Sequence, residues 1–299
     1  MKTLVRETGR KPEMVQSWSS PHAAPVRPLL PLNDANLIPR MGLCTATMSD
    51  GEAQLAVADA LKIGYRLIDT AARYGNEAGV GRGIQASGVP REEIFLTSKL
   101  RGADHGYNET LRGFDASLER LGTGYVDLYL IHWPLPTKNL YDSTWRALIR
   151  LREEGRARSI GVCNFLPKHI CRMVAVTGIR PAVNQLELHL GFTQAQLRDW
   201  HIRNGIQVAS WCPLGRGEPP SHPLIESVAR KHERSAAQIM LRWHMQHGLV
   251  AIPEAKDPEL MRQYLDVFGF ALDTADLQTL ATLDGDQRYW GDPEIFDED

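Results

Sequence analysis

Four side chains of suitable chemistry stand in three short segments: Asp69 and Tyr74 in IDTAARYGNE, Lys99 in FLTSK and His132 in LYLIHWP. A phenol has an ordinary pKa near 10, so at neutral pH it is a weak but available acid. An ammonium beside it favours proton release, and a carboxylate beyond holds the ammonium in place. An imidazole can orient a carbonyl oxygen or stabilise charge developing on it. The set can protonate a carbonyl oxygen, but it has no activated serine, no cysteine–histidine pair and no metal cluster. The electrons must come from elsewhere, and hydride from a nicotinamide is the natural complement.

These residues meet only if the chain folds suitably. Each closes or just follows an apolar run that reads as a buried strand, at 65–69, 94–99 and 126–131. In a parallel β/α barrel the C-terminal strand ends open onto one face, where catalytic groups collect. Short strands near 42–44, 65–69, 94–99, 125–130, 158–161, 182–186, 206–211 and 249–252 alternate with amphipathic helices, many followed by a capping glycine such as Gly64, Gly122 or Gly178. The expected fold is therefore a (β/α)8 TIM barrel with a hairpin at 30–39 and two additional helices, near 222–232 and 273–283. No glycine-rich fingerprint follows the first strand, which disfavours a doubly wound dinucleotide domain. The 299 residues suffice for one such barrel. Residues 1–31, polar and rich in Ser, Pro and Ala, read as a loosely ordered extension, and 32–299 as a single domain.

The chain resembles the aldo-keto reductase family, and within it the short-loop members of the 2,5-diketogluconate reductase type. The resemblance rests on GYRLIDTAARYGNE, FLTSKL, YVDLYLIHWP, RSIGVCNF, PAVNQLELH and WCPLG, in that order. It implies nicotinamide-dependent reduction of aldehydes and ketones, with Tyr74 as general acid, Lys99 and Asp69 as its tuning partners, and His132 orienting the carbonyl. It also implies that the hairpin caps the barrel bottom, that Asn164 and Gln185 bind the nicotinamide carboxamide, and that Trp211 stacks on the ring, with Cys163 and Leu214 alongside. Cys163 stands where the family has Ser, and Trp211 where it has Tyr.

The adenosine end departs further. Members that prefer NADPH usually read IPKS after the eighth strand, with an Arg a few residues on. This chain reads IPEAKD, with Leu260 at the Arg position. Glu254 would repel a 2′-phosphate but could accept a hydrogen bond from a free 2′-hydroxyl; Lys256 and Arg262 could supply replacement charge. NADP (as NADPH) is expected over NAD (as NADH), with both retained. On the substrate side, Trp133 and Tyr74 should wall the pocket and Ala46 should open it. Arg73 could meet an anionic substrate or be an ordinary solvated arginine. The short stretch between His132 and Trp145 implies a pocket without a large covering loop, suited to small aldehydes, dicarbonyls or keto-acids.

A net charge of −2, with 43% hydrophobic and 23% charged residues, gives no electrostatic case for nucleic acid or an anionic membrane. No apolar run approaches the ~20 residues of a spanning helix. Four dispersed cysteines and the absence of a visible secretory signal point to a reducing, cytoplasmic setting, and a monomer is expected. His222, His232, His244 and His247 tempt toward a metal, but no set of ligands completes them, so surface histidines are expected. Asp69 with Lys99 could still be an ordinary ion pair, and the scaffold could serve as a nucleotide-binding regulatory or structural protein. A Schiff-base role for Lys99 is a third reading.

Overall fold

The computed structural model describes residues 28–215 and 221–296. Eight short strands lie parallel in sequence order: β3 (Gly42–Cys44), β4 (Leu67–Asp69), β5 (Phe95–Leu100), β6 (Val126–Ile131), β7 (Ala157–Cys163), β8 (Val183–Glu187), β9 (Gln207–Trp211) and β10 (Val250–Ile252). The ring closes where Met41 bridges Ala251 and Cys44 bridges Glu254, both in parallel. Outside it lie α1 (Asp50–Ile63), α2 (Glu77–Ser87), α3 (Tyr107–Leu121), α4 (Tyr141–Glu153), α5 (Pro167–Thr177), α6 (Ala195–Arg203), α8 (Ala236–Gln246) and α9 (Pro258–Leu265). The two further helices are α7 (Pro223–His232) and α10 (Thr274–Ala281). They pair through Lys231, whose ammonium lies 2.6 Å from Asp273 and 2.7 Å from Asp276.

The period-2 alternation of each strand sorts its side chains between two cores. On β6, Leu128 and Leu130 join the barrel interior, while Tyr129 and Ile131 join the larger core beneath the helices. The same parity turns Asp69 inward with Leu67, and Lys99 inward with Phe95. Below, β1 (Leu29–Pro31) and β2 (Leu37–Pro39) form the expected hairpin. Leu32 and Ile38 plug the interior. Asn33 Nδ2 donates to the carbonyls of Pro181 and Gly205, and Asn36 Nδ2 to the carbonyl of Arg158 and the hydroxyl of Ser159. These acceptors lie at or just before the starts of β7, β8 and β9, so the hairpin is tied to the barrel bottom. The extension expected at 1–31 falls outside the described residues up to 27, while 29–31 form β1.

The histidine expectation needs correction. His222 caps α7 through Leu224 N and His232 pairs with Asp276, but His244 is fully buried and His247 half-buried. Burial pulls the imidazoles of His201, His244 and His247 down to a pKa of about 4. At His201 the reason is geometric: the Asn184 amide nitrogen lies 2.8 Å from Nε2, and Nδ1 lies 2.7 Å from the Leu197 carbonyl. That arrangement suits the neutral ring, and a proton on Nε2 would face another donor. Below the ordinary value of about 6.5 the unfolded chain binds more protons than the folded one. Stability should thus be full above pH 6.5 and decline toward pH 4, by up to about 3 kcal/mol per ring. Thermal melts should show a falling Tm across that window, with a shallower slope in His201→Gln. A wild-type Tm flat from pH 6.5 to 4 would contradict this account.

Candidate active site

The inward parity of β4 and β5 brings Asp69 and Lys99 together inside the barrel mouth, 0–1% exposed, with Lys99 Nζ 2.5 Å from Asp69 Oδ1. The same ammonium donates to the Thr70 carbonyl at 3.1 Å and lies 3.2 Å from the Tyr74 hydroxyl. Its three protons are thereby aimed in three directions. The other Asp69 oxygen accepts from Gln185 Nε2 at 2.8 Å, so the carboxylate is fixed from both sides.

Tyr74 does not lie on a strand. A 3₁₀ turn at Ala72–Tyr74 presents it, and Gly75 ends that turn at φ +68°, in the left-handed region that favours glycine. The turn is clamped by Asn76. Its amide donates to the carbonyls of Thr45 and Met48 at 2.7 and 2.8 Å, and accepts from the Thr70 hydroxyl at 3.0 Å. Asn76 belongs to the YGNE motif, yet sequence reasoning gave it no role. Its signal was a polar residue between Tyr74 and a helix start; that it is wholly buried is visible only in the structure.

Burial raises the Tyr74 phenol well above its ordinary value; Lys99 pulls the other way, and Cys44 and Asp69 add to the rise. The expectation that Lys99 would favour the phenolate is therefore only part of the balance, and the phenol stays loaded with its proton at neutral pH. Burial opposes the charge on Lys99, but the Asp69 carboxylate beside it outweighs this and holds the ammonium above its usual range. An ammonium paired this way with Asp69 is a poor Schiff-base nucleophile, which counts against the third reading.

His132 follows β6, its backbone N–H donating to Leu100 O at 3.2 Å and its ring edge-on to Tyr74 at 5.9 Å. The next strand ends continue the ring. Asn164, in the left-handed region at φ +63°, donates from Nδ2 to His132 O and Cys163 Sγ, both at 3.2 Å. Its Oδ1 accepts from Trp211 Nε1 at 3.0 Å. Sequence reasoning assigned Trp211 a stacking role alone. Its N–H, which the family's tyrosine lacks, also sets the orientation of the Asn164 amide. With Gln185, this gives a planar amide set beside a half-buried indole at the mouth, suited in donor and acceptor chemistry to a nicotinamide carboxamide.

The outer positions are less concentrated. Trp133 is buried against Phe296, the rings stacked at 4.0 Å. Ala46 packs at the edge of the interior core, and Arg73 is exposed on the turn beside Tyr74. Leu214 turns its side chain into the core beneath the helices, which leaves its backbone alone for any ligand. Glu254 is held by the Thr47 hydroxyl. Lys256 pairs with Glu52 at 3.0 Å and Arg262 with Glu259 at 3.4 Å, so neither cation stands poised over a phosphate site. The expectation of a pocket without a covering segment also changes. Although the stretch after His132 is short, the segment after α10 lies against the mouth, Phe296 on Trp133 and Trp290 at 6.0 Å from Trp211.

The family model described as "Aldo/keto reductase family" matches residues 40–219 and 220–284. An aldo-keto reductase of Mycobacterium sp. (strain JLS) is 47% identical over 269 residues, covering 90% of this chain and 98% of that protein. Methylglyoxal reductase DkgA of Yersinia pestis is 42% identical over 276 residues, covering 92% and 99%. The solved structure of a Gox0644 mutant in complex with NADPH superposes with a TM-score of 0.86 at 41% identity, covering 90% of this chain and 98% of that one.

Proposed function

Since the chain belongs to the aldo/keto reductase family and is an NAD(P)H-dependent oxidoreductase of carbonyls, we propose that it reduces small aldehydes, dicarbonyls or keto-acids, with Tyr74 as the general acid. The observation that carries this reading is the Tyr74 hydroxyl 3.2 Å from an ammonium that Asp69 holds charged. When bound, a reduced nicotinamide supplies the hydride. Asn164 and Gln185 would hold its carboxamide, and Trp211 would cover the ring and exclude water. His132, edge-on to Tyr74, would receive the carbonyl oxygen between imidazole and phenol. Tyr74 would give its proton to that oxygen, and Lys99 would stabilise the phenolate left behind. Arg73, exposed beside Tyr74, would favour carbonyls that carry a carboxylate.

For the cofactor we propose NADPH, with NADH also accepted. Lys256 and Glu52 are each nearly half exposed, and such a surface pair is worth about 1 kcal/mol or less. Releasing Lys256 toward a 2′-phosphate is therefore cheap, whereas Glu254, fixed by Thr47, would accept the 2′-hydroxyl of NADH. Parallel fluorescence titrations, read through Trp211, should show NADPH binding up to about tenfold more tightly, a difference of 1.4 kcal/mol. Lys256→Ala should erase that margin and leave NADH unchanged. An unaltered NADPH margin in Lys256→Ala would sink the clamp, and binding of neither nucleotide would sink the reductase reading.

A further inference from the structure

Glu187, the last residue of β8, has a wholly buried side chain, and no lysine or arginine among the described residues pairs with it. Its nearest basic group is His189 Nε2, at 3.5 Å. What the carboxylate does hold is backbone: one oxygen accepts from Tyr289 N at 2.6 Å and the other from Trp290 N at 3.2 Å. Hydrogen bonds from neutral N–H groups to a carboxylate are roughly twice as strong as neutral pairs. Two of them on consecutive residues fix the direction of the chain as well as its position.

The tail then crosses the mouth. Tyr289 stacks on His189 at 4.6 Å, Trp290 stands edge-on to Trp211, and Phe296 stacks on Trp133. Near its far end Glu294 pairs with Lys168 and lies 3.2 Å from His169, both at the start of α5. The segment 289–296 is thus pinned at β8 and at α5, with Trp290 at the first pin and Phe296 two residues beyond the second, each against an aromatic ring at the mouth. The barrel-side pin is a carboxylate that the proton-transfer chemistry does not use.

We propose that Glu187 is a positioning residue whose carboxylate latches the 289–296 segment as the outer wall of the carbonyl pocket, setting the discrimination between bulky and small carbonyls. The kinetic half of the test rests on the carbonyl-reduction reading; the structural half does not. Hydrogen–deuterium exchange of the full-length wild type should show the Tyr289 and Trp290 amides protected, and Glu187→Gln, which turns an amide NH2 toward one of them, should speed their exchange about tenfold or more. The same variant should shift the ratio of kcat/KM for 2-naphthaldehyde to that for propanal, while kcat for propanal stays near the wild-type value.

Wild-type amides that exchange at the rate of exposed neighbours would overturn the latch, as would equal protection in Glu187→Gln. Faster exchange with an unchanged naphthaldehyde-to-propanal ratio would overturn the wall. Should Glu187→Gln fail to fold, the wild-type protection still decides whether the latch exists, and a chain ending at Arg288, which leaves Glu187 intact, should show the same shift in ratio. A wild type that turns over no carbonyl would count against the reductase reading, and the exchange result would then judge the latch alone.

Discussion

Tyr74→Phe should lower kcat for carbonyl reduction by about 10²–10⁴-fold, the range attributed to a positioned general acid, while cofactor affinity stays within about twofold, well under the tenfold that 1.4 kcal/mol represents. The separation follows from position. The Tyr74 hydroxyl touches Lys99 and faces His132, and it takes no part in the Asn164–Trp211 contact on the other side of the mouth. The Asn76 clamp on the 3₁₀ turn involves no atom of the phenol, so the variant should keep its fold and Tm. Because burial dominates the balance at Tyr74 and raises its pKa, reduction should not lose rate through the neutral range for want of the tyrosine's proton. Near-wild-type kcat in Tyr74→Phe, with unchanged fold and cofactor titration, would end the assignment of this phenol as the acid.

Lys99→Met should be damaging in two ways that a second substitution separates. The ammonium and Asp69 are both within 1% of full burial. Breaking such a pair strands a charge, at a cost of about 3–5 kcal/mol, and the Gln185 contact at 2.8 Å compensates only part of it. Removing both charges, as in Asp69→Asn with Lys99→Met, should recover much of that stability, since a neutral pair carries no desolvation penalty. Activity should not return, because nothing then stabilises the phenolate left on Tyr74. Thermal melts and single-turnover rates on the two single variants and the double complete the cycle. A double variant as inactive as Lys99→Met yet far more stable fits the arrangement. One that regains turnover would show that the ion pair serves folding rather than proton transfer.

The barrel and its central residues were legible for one reason. A strand buried on both faces is a short apolar run, so where it ends is visible, and parity along the run says whether its last residue turns inward. Asp69, Lys99 and His132 obey that rule, and their strands begin or end within two residues of the expected limits. Tyr74 lies on a turn rather than a strand, and it was found through the motif around it. Capping glycines such as Gly64, Gly88, Gly122 and Gly178 marked the helix ends because they adopt positive φ there, a backbone state costly for other residues.

What the chain order could not say is which long or polar side chains would meet after closure. Lys256 is 204 residues from Glu52, Gln185 is 116 from Asp69, and Glu187 is 102 and 103 from the amides it holds. Each had several chemically equivalent partners along the sequence. The choice fell to whichever group the closed ring and the returning tail brought within about 3 Å, since hydrogen bonds weaken steeply beyond that distance. His244 makes the same point from the core. A histidine on an amphipathic helix reads as surface, but α8 packs against the barrel so closely that its ring lies 3.1 Å from the Ser210 hydroxyl on β9. Residue order and hydrophobic spacing were enough for the barrel, the parity that turns Asp69 and Lys99 inward, and the chemistry available at its mouth. Closure of the ring settled the orientation of the Asn164 amide, the engagement of Lys256 and the tail held by Glu187, because those depend on distances that exist only once strand β10 has met β3.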